Sequence, residues 1–212
     1  MPDLKIHLKM SGTEPTEWYE SEVKDDAGMA KTPVKKTGTG SSGFLATLAN
    51  MVQVLFEQTI KDGNAKNFTG VTVNTAPTAA DVGQSDLLCY VCSTRSNSVF
   101  KAKEPTLFAK AATTTGGITA AITGGSTGSG VLSEIYVDEY RQNITCVSFG
   151  IYHEFMHNKA RKGESINWPH VSGGGGVASE EGPLSLYRPN KTNKTQMASR
   201  LSQANAQYKA GL

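Results

Sequence analysis

The chain has 212 residues, of which 38% are apolar and 19% charged; that is globular rather than disordered, and long enough for one domain with a real core. A net charge of +2 is too small to argue for nucleic acid or an anionic membrane as partner. With 22 glycines and Thr/Ser-rich stretches the chain should carry many loops, and function must come from local chemistry.

The first ten residues alternate Leu4, Ile6 and Leu8 against Lys5, His7 and Lys9, the period of a strand. They hold no continuous apolar core of a secretory signal. No run approaches the ~18 apolar residues of a membrane span. The chain reads as soluble, with export by a route that leaves no such mark left open.

A polar, lysine-containing stretch leads through Pro33 into Gly38-Thr39-Gly40-Ser41-Ser42-Gly43. This matches G-x-G-x-x-G, but the dinucleotide fingerprint needs a buried strand immediately before it, and residues 31–36 make a poor one. A phosphate-binding Walker loop fails too, because Phe44 stands where Lys should follow Gly43. The segment reads as a self-capping loop. From Phe44 an apolar 3.6-residue pattern (Leu45, Leu48, Met51, Val52, Leu55, Ile60) predicts a helix, capped by Ser41 or Ser42 and ended at Asp62-Gly63.

Strands are expected at 68–75 and 87–94, separated by a turn-rich segment around Pro77 and Gly83. The second holds Cys89 and Cys92, whose C-x-x-C spacing would suit zinc or redox chemistry. On a strand, however, residues three apart point to opposite faces. With Cys146 the only other cysteine, buried strand thiols are the better reading. Residues 113–130 are Thr/Gly-rich around a short apolar piece at 118–122, and 131–137 reads as another strand.

A helix beginning near Gln142 carries His153-Glu154-Phe155-Met156-His157, an H-E-x-x-H motif. Four residues apart on a helix, two imidazoles lie one turn apart on one face. They can bind one tetrahedral zinc and leave room for a third ligand and a water, while the intervening Glu takes the proton from that water. Four histidines and twelve glutamates give this pattern by random placement in roughly 0.4% of chains of this length, so coincidence is a poor account. At 100° per residue, Ile144, Val147, Ser148, Ile151 and Phe155 cluster together, and His153 and His157 fall at about 180° and 220° from Ile144. Cys146 and Gly150 share the histidine stripe, and their small size suggests close approach by a ligand or a strand there.

Beyond the motif come Pro169-His170, the run of four glycines at 173–176, and a loop through Pro183 and Pro189. A last helix is suggested by Met197, Leu201, Ala204 and Tyr208. Helix, strands and helices together give an α+β reading. We take it as a single catalytic domain over 1–212, with a sheet-bearing part at about 1–141 and the active-site helix, ligand loop and C-terminal helix at about 142–212.

On residues 153–157 the chain resembles the zincin metallopeptidases, which share H-E-x-x-H on an active-site helix beneath a small sheet. The resemblance implies Zn2+ as cofactor, His153 and His157 as ligands, and Glu154 as base and proton shuttle. It also implies a protein or peptide substrate, held by strand addition at a sheet edge, 87–94 or 118–122. The strict metzincin pattern is absent, since Ala160 and Gly163 stand where its Gly and third His belong. A downstream aspartate ligand is excluded because the last Asp is Asp138. A metzincin-like arrangement with a displaced third histidine would use His170; a glutamate ligand would be Glu164, Glu180 or Glu181. We favour His170, because Pro169 ends any continuing helix and the glycine run lets the chain turn back. Met197 could form a turn beneath the metal, although it also begins the last helix. Tyr187 is a candidate donor of a hydrogen bond to the oxyanion. The expected activity is peptide-bond hydrolysis through a zinc-bound water activated by Glu154. An amidase acting on cell-wall or other amides, and a non-catalytic protein stapled by zinc, are the competing readings.

Overall fold

The computed structural model describes residues 3–21, 23–24, 28–29, 33–63, 68–78, 87–103, 117–122, 130–158 and 195. The C-terminal helix expected from Met197 to Tyr208 and the loop carrying His170 lie outside them.

Alternation at the N-terminus gives β1 (Leu4–Ser11), with Leu4, Ile6 and Leu8 all fully buried. After it, β2 (Glu17–Glu20) pairs antiparallel with β5 (Val34–Thr37), and the two-residue strands β3 (Val23–Lys24) and β4 (Gly28–Met29) pair with each other. Every residue of β5 is exposed. A strand therefore does precede the glycine-rich loop, but in a separate ribbon outside the main sheet, so the phosphate-cradling arrangement does not form.

The helix expected from Phe44 is α1 (Phe44–Gly63). Its first turn is not capped by Ser41 or Ser42, since the Ser42 hydroxyl donates to the Thr39 carbonyl instead. The Leu45 amide donates to the Glu14 carboxylate at 2.7 Å. A carboxylate at the positive end of the helix does the work of a local cap from 31 residues away.

Strands β6 (Val71–Asn74), β7 (Leu87–Cys92), β8 (Gly117–Ile122) and β9 (Gly130–Tyr136) complete a five-stranded sheet in the order β6-β1-β7-β9-β8. The first four in that order run parallel, and β8 is the antiparallel edge beside β9. The expected small mixed sheet is thus present, and largely parallel, because α1 and the β2–β5 ribbon are inserted as crossover between β1 and β6. A short helix, α2 (Val99–Lys103), follows β7.

Strand β7 lies between β1 and β9, so both its edges are occupied and segment 87–94 cannot receive a peptide by strand addition. All six of its residues are buried, the pattern of a central strand covered on both faces. Among the described residues, segment 118–122 lies at an edge.

The last described helix is α3 (Ile144–Asn158). It contacts β8, β9 and α1, and α1 contacts β1 and β6, so both helices share one face of the sheet. The Phe56 ring lies 5.0 Å from Tyr152 and 5.8 Å from Phe155, which joins α1 and α3 into the same core as Leu4, Ile6, Leu8, Val91 and Ile135. Among the described residues no helix is long and apolar enough to cross a membrane.

Candidate active-site helix

The chain leaves β9 through a 3-10 turn at Asp138–Tyr140 and reverses at Arg141 and Gln142, with φ of 50° and 57°. Two consecutive non-glycine residues in the left-handed region are costly, and they are held by a dense set of bonds. The Tyr19 amide donates to the Gln142 carbonyl at 3.0 Å. Asn143 is the true N-cap: its Oδ1 accepts from the amides of Thr145 at 3.1 Å and Cys146 at 3.2 Å. Its Nδ2 donates to Ser21 Oγ at 2.8 Å, while Thr145 Oγ1 accepts from the Ser21 amide at 3.0 Å and donates to the Ser21 carbonyl at 3.1 Å. This network fixes the direction in which α3 runs back along the sheet.

The helix is covered on two sides, not one. Ile144, Val147, Ile151 and Phe155 are fully buried, as their periodicity predicts. Cys146 is buried as well, and Gly150 lies against the sheet. A Cβ on Gly150 would stand 2.5 Å from Tyr140 Oη and 2.7 Å from Ile135 Cδ1. The close approach expected at these small residues is therefore made by Tyr140 and strand β9. In this first half of the helix they offer no surface to a ligand.

Beyond Gly150 the stripe changes character. His153 is half-buried, and Glu154 keeps only 7% of its surface exposed. The Glu154 carboxylate reaches Gly117, the first residue of the edge strand β8: a Cβ built there would be 2.9 Å from both Cγ and Oε1 of Glu154. His157 follows one helical turn after His153, within the continuous helix; its side chain lies outside the described residues. So do His170, Tyr187, Glu164, Glu180, Glu181 and Met197.

The acids behind Glu154 are held in their neutral forms. Burial first, then the neighbouring Cys92 and the Glu154 and Glu134 carboxylates, push the Cys89 thiol well above its ordinary value. Burial and then the Glu154 charge raise the Tyr140 phenol. Cys89 and Cys92 are both free thiols, as expected, and they diverge: Cys92 Sγ meets Glu134 on the far side of the sheet at 3.8 Å.

Two histidines one turn apart on a continuous helix, with a carboxylate between them, make a donor set that suits tetrahedral zinc. Among the described residues no third His, Cys, Asp or Glu joins them to complete a ligand group. Gly117 escaped the sequence reading, which began the apolar piece one residue later. The available signal was a glycine pair directly before a strand-like run. No family model, no curated protein and no solved structure matches the chain.

Proposed function

We propose that the protein is a zinc-dependent metallopeptidase of zincin type. The observation that carries this reading is the placement of Glu154. It follows His153 on a helix packed beneath a small mixed sheet, and it directs its carboxylate to the opening residue of the edge strand. His153 and His157, with His170 as third ligand, would hold Zn2+. Zinc held there supplies Lewis acidity, polarising a scissile carbonyl and acidifying water.

The chain's own residues supply the rest. Among the described residues strand β8 pairs with β9 alone, and its outer edge is where an extended peptide would lie, antiparallel or parallel. Glu154, beside that edge, accepts a proton from the attacking water and returns it to the leaving amine. The sheet and the neutral Cys89 and Tyr140 shield its carboxylate from bulk solvent on the inner side.

The experiment that tests this is Glu154→Gln, assayed on a peptide library with the zinc content measured alongside. Zinc and fold should be retained and turnover should fall by at least about two orders of magnitude, the scale for losing a general base. Wild-type turnover in the Gln variant overturns the mechanism, and loss of zinc makes Glu154 a ligand.

A further inference from the structure

Gly117 stands opposite Ile135 of β9, at the point where β8 begins. Glycine weakens a strand unless its bareness is used. Its backbone freedom is not used here, because among the described glycines only Gly12 and Gly40 have positive φ. Its lack of a side chain is used. A Cβ at this position would lie 2.8 Å from the Glu134 carbonyl oxygen and 2.9 Å from both Cγ and Oε1 of Glu154. None of these is a tolerable separation, so something would have to move.

The neighbours differ in how far they can yield. The Glu134 carbonyl belongs to β9, which is held by ladders to β7 on one side and β8 on the other. The Glu154 oxygen could swing aside, but its Cγ is two bonds from a helix backbone and the side chain is buried. An added methyl therefore either rotates the whole Glu154 side chain or lifts the start of β8 from β9. Both displacements fall on the same place.

We propose that Gly117 is the positioning residue for Glu154. Its bare Cα is the wall against which the carboxylate rests, and it ties the location of the base to the register of the edge strand. The inference rests on Glu154 being the base of the proposed reaction, but the contact itself is testable without any activity.

The test is a double-mutant cycle on the metal-free full chain, using Gly117→Ala, Glu154→Ala and the double variant, read by thermal melting. Overpacking of this kind should lower Tm in the wild-type background by about 2–10 °C. In the Glu154→Ala background the same substitution should lower it by at least about 2 °C less, because only the Glu134 carbonyl then remains in the way. Additive shifts overturn the proposal. Should Gly117→Ala alone fail to fold, recovery of folding in the double variant supports the contact, and a double variant equally unfolded overturns it. With zinc restored, Gly117→Ala should keep its metal and its KM within about threefold while kcat falls at least about tenfold, since it displaces a group used only in the chemical step. Unchanged kcat in a folded, zinc-loaded Gly117→Ala also overturns it. If Glu154→Gln keeps wild-type turnover while the melting cycle is non-additive, the role of Glu154 as base fails and the contact stands; an additive cycle removes the contact whatever Glu154 does.

Discussion

Two buried glutamates flank the same sheet from opposite faces, and they are built for different ends. Glu134 projects from β9 away from α3, while Ile135 beside it turns toward that helix. Its Oε1 accepts from the hydroxyls of Ser98 and Tyr136. Its Oε2 accepts from the amides of Val99 at 2.9 Å and Phe100 at 3.2 Å, with the Cys92 thiol at 3.8 Å. A carboxylate offers about four lone-pair sites, so these donors fill it. Glu134 caps α2 and pins it to the far face, with nothing left for a substrate. Glu154 is placed differently. It comes from a helix side chain rather than a strand, next to a half-buried histidine, and it ends at a sheet edge. Burial marks both residues; only the company they keep separates a structural carboxylate from a candidate base.

The largest expected effect divides the two faces by metal. Wild type should bind about one zinc per chain, and His153→Ala or His157→Ala should abolish stoichiometric binding. His170→Ala should weaken it far more than Glu180→Ala or Glu181→Ala, and zinc-edge X-ray absorption should count three imidazole nitrogens and an oxygen. Two imidazoles with a carboxylate would move the third ligand to a glutamate. Full zinc binding by both the His153 and the His157 variants would make the helix face as purely structural as the far one.

The next effect inverts the outcome expected for Glu154→Gln. Glu134→Gln exchanges charge-assisted bonds for neutral ones, and its NH2 cannot accept, so either the Val99 and Phe100 amides lose their partner or the Ser98 and Tyr136 hydroxyls must turn round to receive it. Its cost should be about 3 kcal/mol, a fall in Tm of about 6–12 °C for a chain of this size. Zinc binding and turnover measured well below the melting point should stay near wild type. A Glu134→Gln protein that melts normally but has lost turnover would join the two faces into one site and dissolve the contrast.

The sequence made the helix side more legible than its surroundings, for physical reasons. Strands β1, β7 and β9 and helices α1 and α3 bury one face or both, and burial imposes a period that can be read. The β2–β5 ribbon offers no such period: β2 buries Trp18, but β5 is wholly exposed, and its Val-Lys-Lys-Thr leaves no alternation to find. Strand order is a matter of long-range pairing, so β7 could be mistaken for an edge, although its unbroken apolar run was a sign of a central strand. A wheel drawn for α3 alone knows nothing of a sheet lying on its second side. That is why the small residues Cys146 and Gly150 left open whether a ligand or a strand comes close, when at Gly150 it is Tyr140 and Ile135 of β9 that fill the space. The cap on α1 was illegible for a similar reason, since Glu14 is distant in sequence. Within the site, His153 and Glu154 were readable from spacing, whereas Gly117 acquires meaning only from what lies across from it.

The smallest effect separates the interior of the helix layer from the site next to it. Tyr152 precedes His153 in sequence but points the other way, into α1, where its hydroxyl lies 2.7 Å from Thr59 Oγ1. Thr59 has one hydroxyl proton, and it goes to the Leu55 carbonyl at 2.8 Å, so Tyr152 must be the donor in the pair. Tyr152→Phe then removes a donor without orphaning one: Thr59 keeps its bond to Leu55, and the ring keeps its contact with Phe56. The cost should be about 1 kcal/mol, a fall in Tm of about 2–4 °C, with zinc affinity and turnover unchanged. A Tyr152→Phe variant with normal melting but reduced turnover would show that the division of α3 between packing and chemistry falls elsewhere than between residues 152 and 153. A fall in Tm far beyond this range would mean that the hydroxyl secures more of the α1–α3 contact than a single hydrogen bond can explain.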